Sequence, residues 1–372
     1  DAAYCNALTK LSMNTPYRPT TTDKELGFVV AALGNDELTY EKKHEFNFGV
    51  DAGFFNNRLN VTFDVYQRRN FDEIAPTVTQ LYGTAYANVG SMKSWGEELS
   101  ISSTNIKTQD FSWQTSLIYS HNRTEITDLY NQGRVIDLVQ GNGFAKQGYP
   151  ARALFSIPFV GINEKGYPVC INEKGQATVG NLNFQERDNT DYLIYEGSTD
   201  PVYNGSLGNT FNYKGFHLNV FLTYAFGNVV RLDPAFSAKY NDLTSMTHDF
   251  KNRWMQPGDE NVTNVPGVVS RYEYEQNSTL LATAYNAYNY TSVRTAKGDF
   301  IRLKEISLAY DFPHRWFEKS PVNNISLKLQ ATNLMLLYAD KKLNGQDPEF
   351  MNAGGVASPM PKQFTLTLKL GL

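Results

Sequence analysis

The chain has 372 residues, of which 13% are aromatic and only 19% are charged. Its formal net charge of −4, without a long run of Lys or Arg, excludes the basic surface of a nucleic-acid-binding protein. A membrane-spanning helix is also excluded, because no run approaches the roughly 18 apolar residues that it needs. A barrel strand needs only about ten residues of alternating polarity, so crossing a membrane by β-strands stays open.

The first clear alternation of apolar and polar residues lies at 44–54, and we interpret residues 1–43 as an extracellular loop region. Phe46 and Phe48 alternate with polar residues, and after a turn at 55–58 the pattern returns with Val61 and Phe63. Because strand side chains alternate between two faces, the pattern predicts a hairpin with one apolar and one polar face. The polar face is predicted to line a lumen through Asn47, Asp51, Asn60, Thr62 and Asp64.

The same unit recurs along the rest of the chain. Three more hairpins and a last strand are predicted at 96–104 with 111–121, 205–213 with 216–227, 299–310 with 324–333, and 363–372. The apolar positions change from odd to even residue numbers between Leu303 and Ile306, which predicts a β-bulge. The sequence therefore predicts nine antiparallel strands.

The connections between these strands alternate between short and long. Long connections are predicted at 69–95, 122–204, 228–298 and 334–361. Outer-membrane barrels have short periplasmic turns and long extracellular loops, and single-chain bacterial barrels have an even number of strands. Nine crossings lead from outside to the periplasm. We therefore predict an all-β fold, with 44–372 as the C-terminal part of a larger transmembrane β-barrel whose plug domain and N-terminal strands lie outside this sequence.

Aromatic residues bracket every short turn of the predicted hairpins. Repetition at four turns favours a membrane-interface girdle over the alternative, aromatic caps on the core of a soluble sandwich. The residues are Phe54, Phe55, Phe111, Trp113, Tyr213, Phe216, Phe312, Trp316 and Phe317.

The sequence lacks the motifs of an enzyme or of a metal or cofactor site. The five histidines have no ligand spacing, and neither a nucleophile elbow nor a phosphate-binding glycine loop occurs. We therefore predict no catalytic residues, no cofactor and no metal. Cys5 and Cys170 make neither a disulfide framework nor a metal cluster, and their pairing cannot be read from the sequence.

Two features of the long connections bear on ligand binding. The sequence INEKG occurs at 162–166 and 171–175, which predicts glycine-ended turns around a short strand at Tyr167–Cys170. The connection 228–298 is rich in rings that suit stacking on sugars or gripping peptides, although packing of the loop against itself is the alternative. These candidate substrate-binding residues are Trp254, Tyr272, Tyr274, Tyr285, Tyr288 and Tyr290.

Several segments together resemble the SusC/RagA family of TonB-dependent outer-membrane transporters. The blocks are DFIRLKEISLAYDFP (299–313), LQATNLMLLYADKKLNGQDPEF (329–350), PKQFTLTLKLGL (361–372), RWMQPGDENVTNVP (253–266), NVGSMKSWGEELSISSTNI (88–106) and FDVYQRRNFDEI (63–74). The resemblance runs from about residue 38 to the end, and the order and spacing of the blocks make it specific. One departure is Leu372, since such barrels usually end in an aromatic residue.

The resemblance implies a 22-stranded barrel in the outer membrane of a Gram-negative, Bacteroidota-type cell. It also implies an N-terminal plug coupled to TonB and the proton-motive force. A SusD-like surface lipoprotein would act as a lid that captures oligosaccharides or oligopeptides. The implied partners are thus the remaining barrel and plug, the lid, TonB and outer-membrane lipid, without nucleic acid. Two alternatives stay open: a TonB-dependent receptor for siderophores or vitamins, and a soluble secreted glycan-binding β protein.

Overall fold

The centre of the fold is an antiparallel sheet of nine strands in which each strand pairs with its sequence neighbours. The computed structural model describes residues 9–14, 27–32, 34–35, 37–79, 83–240, 243, 245–318, 321–353 and 361–371. The nine predicted strands and the all-β fold are confirmed. The strands are β1 (Lys42–Phe54), β2 (Leu59–Thr79), β3 (Gly83–Lys107), β4 (Phe111–Leu129), β5 (Tyr203–Tyr213), β6 (Phe216–Phe226), β7 (Phe300–Asp311), β8 (Asn324–Ala339) and β9 (Gln363–Gly371).

The predicted long connection at 69–95 is wrong, because β2 and β3 continue through it. These strands have 21 and 25 residues, and only 80–82 separate them along the chain. Their register shifts at Asn70–Ile74, which breaks the parity of the alternation. Beyond the bulge the strand no longer has one apolar and one polar face, so the period-two signal ends although the hydrogen-bonded ladder does not.

The bulge predicted between Leu303 and Ile306 is confirmed. The register of β7 shifts between Leu303 and Glu305 against β8, and β6 shifts between Phe221 and Leu222 against β7. After the extra residue, the apolar side chains of β7 again lie on the same face of the sheet as those before it. At the next short turn, Lys214 and Gly215 have φ values of 45° and 88°, the left-handed pair that a two-residue hairpin turn requires.

The long connections at 130–202, 227–299 and 340–362 contain their own secondary structure. The helices are α1 (Val135–Val139), α2 (Arg271–Gln276) and α3 (Ser278–Asn289). Short strands occur at Ala153–Ser156, Phe159–Ile162, Pro168–Ile171, Ala177–Thr178, Ile194–Ser198, Val229–Arg231 and Thr295–Lys297. Turns of 3₁₀-helix occur at His248–Asn252, Asp259–Asn261, Ser292–Arg294, His314–Trp316, Lys341–Leu343 and Pro348–Ala353.

Buried apolar clusters join these connections into one loop body at one end of the sheet. One cluster packs Val135, Leu138 and Phe155 of the first connection against Ala287 of α3. Another packs Val230 and Ala296 against Leu343 and Met351 of the last connection. The predicted turns at the INEKG repeats are also confirmed, since Pro168–Ile171 lies between Gly166 and Gly175, whose φ values are 77° and 72°.

The region before β1 includes an antiparallel pair of strands, Lys10–Asn14 and Gly27–Ala32. Asn35 donates a hydrogen bond to the Tyr86 carbonyl, and Thr39 and Asn88 exchange two more. This segment therefore lies against the upper part of β3; its extracellular location stays a prediction. Within the described ranges, no helix has the length and apolar character needed to span a bilayer.

Candidate functional site

The pairing register divides the sheet into two chemically distinct faces. One row crosses from β1 to β8 and is apolar throughout: Ala52, Val61, Ile101, Leu117, Leu207, Leu222, Leu303 and Met335. The neighbouring row on the other face is polar apart from Ile118: Asp51, Thr62, Ser100, Ile118, Ser206, Thr223 and Arg302. Shifting any strand by one residue would move its apolar side chains to the polar face, so the observed register is what separates the two faces.

The five residues predicted to line the lumen lie together on the polar face. Thr62 donates a hydrogen bond to Asp51 across β1 and β2 (2.7 Å), and Asn60 donates to the Asn57 carbonyl in the turn (3.1 Å). Asp64 lies opposite Glu98 of β3, and Asn47 lies opposite Tyr66. This part of the polar face thus has hydrogen-bonded side chains and several carboxylates, and such a surface is suited to contact with water. That it lines a transport lumen remains a prediction.

The opposite face presents large apolar side chains to the surroundings. Phe46 of β1 is 67% exposed and Phe364 of β9 is 69% exposed, and Leu366, Leu368 and Leu370 are exposed beside it. A continuous apolar surface of this extent is not stable in water, because soluble monomers rarely expose patches beyond a few hundred Å². The face therefore requires an apolar surrounding.

Aromatic rings form a belt on the apolar face at the short-turn end, as the sequence predicts. Trp113 stacks on Phe211 with ring centroids 5.7 Å apart. A second series of rings runs from β6 to β7 and into the turn that follows, with successive ring centroids 4.4 to 5.6 Å apart. Its members are Phe216, Tyr310, Phe312 and Trp316.

A second aromatic belt, which the sequence reasoning missed, lies at the loop end of the same face. It consists of Tyr119, His121, Tyr203, Tyr224, Phe226 and Tyr338, with neighbouring rings 4.9 to 6.3 Å apart. Tyr203 and Phe211 are eight residues apart on β5, about 26 Å along the strand, which is roughly 20 Å of height at the 35–45° tilt of barrel strands. Outer-membrane barrels carry an apolar band about 25 Å tall between two aromatic girdles. The signal was available in the sequence, but these rings adjoin long connections rather than turns.

The six candidate ligand-binding rings mostly pack within the loop body. Tyr285 and Tyr288 on α3 are only 1% and 2% exposed, and Tyr288 contacts Phe159 and Phe236 edge-on. Tyr274 packs on the cluster that contains Tyr285, and Tyr290 meets Phe184 edge-on. Tyr272 is the one of the six with most of its side chain exposed, at 73%.

Trp254 lies against the first INEKG turn rather than in an open cleft. A Cβ added to Gly166 would be 2.4 Å from its ring, and one added to Gly267 would be 2.9 Å away. Trp254 Nε1 donates to Glu260 (2.9 Å), and this hydrogen bond keeps the pKa of Glu260 below its ordinary value. Tyr285 donates to the Gly267 carbonyl on the same backbone segment. The rings of Trp254 and Tyr285 thus hold the backbone around Gly267 in place.

Two buried arginines tie the long connections to each other and to the sheet. Arg302 of β7 donates to both carboxylate oxygens of Asp347 (2.5 and 2.6 Å) and lies 3.1 Å from Glu349. Arg231 donates to the carbonyls of Thr291 (2.8 Å) and Phe155 (2.6 Å), and burial lowers its pKa to about 10. Neither residue was a candidate in the sequence, since nothing in the pattern predicts which arginines are buried.

A cleft of about 430 Å³ lies where the loop body joins β3 and β4. Its wall includes the rings of Trp95 and Tyr195 and the charged groups of Arg123, Glu125 and Asp200. Trp95 and Arg123 lie on the same face of the sheet as Ile101 and Leu117, so this cleft borders the apolar face rather than the polar wall.

Within the described ranges, no group of three His, Cys, Asp or Glu could hold a metal ion. Cys170 is a free thiol, and burial raises its pKa to about 12. Cys5 lies outside the described residues.

Comparison with known proteins gives consistent matches. The family model described as "TonB dependent receptor-like, beta-barrel" matches residues 10–233. The chain is 26% identical to TonB-dependent receptor P39 of Formosa agariphila, over 90% of the chain and 35% of that protein. It is 27% identical to TonB-dependent receptor SusC of Bacteroides thetaiotaomicron, over 91% of the chain and 32% of that protein.

Among solved structures, the RagAB peptide transporter shares the fold with a TM-score of 0.74 at 24% identity. That match covers 98% of this chain and 38% of the transporter chain. The chain thus spans about a third of the length of the curated relatives it matches, with shares of 35% and 32% for these two.

Proposed function

Because the chain belongs to the TonB-dependent receptor family, whose barrels lie in the outer membrane of Gram-negative bacteria, we propose that it forms the C-terminal barrel wall of a SusC-type nutrient importer. The family consists of transporters rather than enzymes, and the relation to SusC and RagA agrees with the resemblance drawn from the sequence. Membership also removes the soluble secreted glycan-binding protein from the alternatives.

The division of the sheet into two faces is the observation that carries this proposal. Polar residues from neighbouring strands form one continuous wall, while the other face is apolar and bounded by two aromatic belts. The three long connections fold together at the same end of this wall. Such an arrangement supports a water-filled passage whose outer mouth is narrowed by a folded loop body.

The remaining barrel and plug are the first proposed partners. Within the described residues, β1 pairs only with β2 and β9 only with β8, so each has one unpaired edge. Each unpaired backbone group costs several kcal/mol in lipid, and further strands of the same barrel would satisfy these edges. TonB, acting on the plug, and a SusD-like lid over the loop body complete the proposed assembly.

The proposed substrates are oligosaccharides or oligopeptides. Tyr272, the exposed candidate ring of the loop body, offers an aromatic face that suits stacking on a sugar or gripping a peptide. The RagAB match is a peptide transporter, and SusC is a relative by sequence; at these identities, neither decides between the two classes.

Growth and uptake in a strain lacking the gene test the proposal. Cells would be supplied separately with labelled oligosaccharides, with labelled oligopeptides, with chelated iron, or with vitamin B12. We expect loss of uptake for one of the first two classes, restored by the wild-type gene and abolished again without TonB. Loss confined to the chelate or the vitamin would instead support the alternative receptor function, and unchanged uptake of all classes would contradict both.

A further inference from the structure

The cleft between the loop body and β4 opens on the outward, apolar side of the sheet. Trp95 of β3 and Arg123 of β4 lie directly opposite each other, on the face that also carries Leu99 and Tyr119. The far wall of the cleft is formed by Tyr195 and by residues 197–202, which lead into β5. Because this face points away from the polar wall, the cleft meets the surroundings of the barrel rather than the passage inside it.

The cleft lies at one level, just beyond the loop-end belt. Arg123 is two residues beyond His121 of that belt, about 7 Å along the strand and roughly 5 Å in height at the tilt of barrel strands. The N–H of Asn122 donates to the Val202 carbonyl (3.0 Å), which fixes the loop wall at the same level. The polar headgroup layer extends about 5 to 8 Å beyond the hydrocarbon on each side of a bilayer. The cleft therefore meets lipid headgroups.

One cation in the cleft has no counter-charge. The two carboxylates of the wall are both paired, Glu125 with Lys93 at 3.0 Å and Asp200 with Arg152 at 2.6 Å. Arg123 is exposed, and across the described part of the chain it has no carboxylate within ion-pair distance. The cleft thus has a surplus of one positive charge, carried by a guanidinium that can bind a phosphate bidentately.

Two aromatic rings stand on either side of this cation. Trp95 is half-buried in the wall formed by the sheet, and Tyr195 is 40% exposed in the wall formed by the loop body. The ring of Tyr195 is held by that of Tyr149, with centroids 4.9 Å apart. The cleft is open at Gly148, where an added Cβ would have nothing within 4 Å. Flat rings beside a guanidinium suit a sugar that carries a phosphate.

We propose that this cleft binds the phosphorylated sugar headgroup of a glycolipid in the outer leaflet. Arg123 holds the phosphate, Trp95 and Tyr195 flank the adjoining sugar, and the acyl chains descend over the apolar face past Leu99 and Leu117. A soluble sugar phosphate lacks these chains, so the apolar face below the cleft selects the lipid. The inference rests on the outward orientation of that face and not on the nutrient transported, so nutrient uptake and lipid binding can fail independently.

Lipid binding to the complete barrel protein that carries this chain tests the proposal. The protein in neutral detergent would be titrated with a diphosphorylated glycolipid of the lipid A type and, separately, with the same lipid after dephosphorylation. The test variant is Arg123→Gln. The control is Arg69→Gln, which removes an exposed cation from the same face of the sheet. Arg69 is four residues beyond Val65, which lies in the row of His121, so the control position is past the headgroup layer.

We expect the wild type and the control to bind the phosphorylated lipid about tenfold more tightly than the dephosphorylated one, and Arg123→Gln to bind both about equally, since one charged hydrogen-bonded contact contributes about that factor. Trp95→Leu should weaken the binding of both lipids alike, because it removes a ring and leaves the charge. Heat-modifiable mobility on gels checks that each barrel is folded.

Three results would each overturn the proposal. They are an unchanged preference for the phosphorylated lipid in Arg123→Gln, the same loss of preference in Arg69→Gln, and full displacement of the lipid by millimolar inorganic phosphate.

Discussion

Arg302 ties the last long connection to the barrel wall through one buried side chain. Its guanidinium projects from the polar face of β7 and meets Asp347 and Glu349, which flank Pro348. Two charges removed from water are stabilised only by each other and by their hydrogen bonds, so the loss of one partner leaves the other uncompensated. The conformation of 340–353 should therefore depend on this pair.

We predict that Asp347→Ala destabilises the anchoring of 340–353 by about 3 to 5 kcal/mol, the cost of breaking a buried ion pair. The measurement is limited proteolysis of the complete barrel, read as the cleavage rate within this connection. Glu275→Ala is the control, because its pair with Arg271 (2.8 Å) is exposed and exposed pairs contribute at most about 1 kcal/mol. Equal cleavage rates in the two variants would contradict the anchoring role.

Cys170 gives a second prediction at the residue scale. Burial raises its pKa to about 12, so the thiol stays protonated at pH 8, and the thiolate is the form that reacts. In a Cys5→Ser background, we expect almost no alkylation by iodoacetamide at pH 8 in the folded protein and rapid alkylation after unfolding in urea. Fast alkylation of the folded barrel would mean that the cluster around Cys170 is open.

Among the elements, the two INEKG turns form a natural matched pair. They have the same sequence, and each ends in a glycine with positive φ, yet their surroundings differ. A Cβ on Gly166 would meet the ring of Trp254, whereas a Cβ on Gly175 would have nothing within 4 Å. The first turn is therefore part of the packed loop body, and the second is only a turn.

We predict that Gly175→Ala costs about 1 kcal/mol, from backbone strain alone, and that Gly166→Ala costs about 1 to 3 kcal/mol more, from overpacking against Trp254. Thermal unfolding of the two variants, followed by proteolysis of the loop body, measures the difference. If both variants lose the same stability, Trp254 does not pack on the first turn as described.

The elements also show how far sequence reasoning extends. Alternation located all nine strands and the bulge after Leu303, because burial of one face imposes a period of two. It failed at 69–95, where the strands leave the apolar band and a bulge at Asn70–Ile74 resets the parity. The candidate rings of the 228–298 connection were recognised as aromatic, but burial of Tyr285 and Tyr288 depends on contacts with other connections, which no local pattern encodes.

At the scale of the whole molecule, the two faces and the two aromatic belts together make the sheet a section of barrel wall with an apolar exterior. The apolar row from Ala52 to Met335 crosses eight strands, and one aromatic belt lies at each end of this face. The three long connections fold together at one end of this wall. The orientation of these faces, apolar to lipid and polar to the lumen, is the central claim of this account.

That claim is tested most directly by paired arginine substitutions at adjacent positions of β2, measured as the folded fraction of the complete barrel in the outer membrane by heat-modifiable mobility. Val61 lies in the apolar row and Asn60 on the polar face. Arginine on the lipid face near the bilayer midplane costs about 2 to 4 kcal/mol, whereas a polar lumen accepts it. We predict that Val61→Arg sharply reduces the folded fraction while Asn60→Arg leaves it close to wild type; equal loss in both, or the reverse order, would contradict the assignment of the faces.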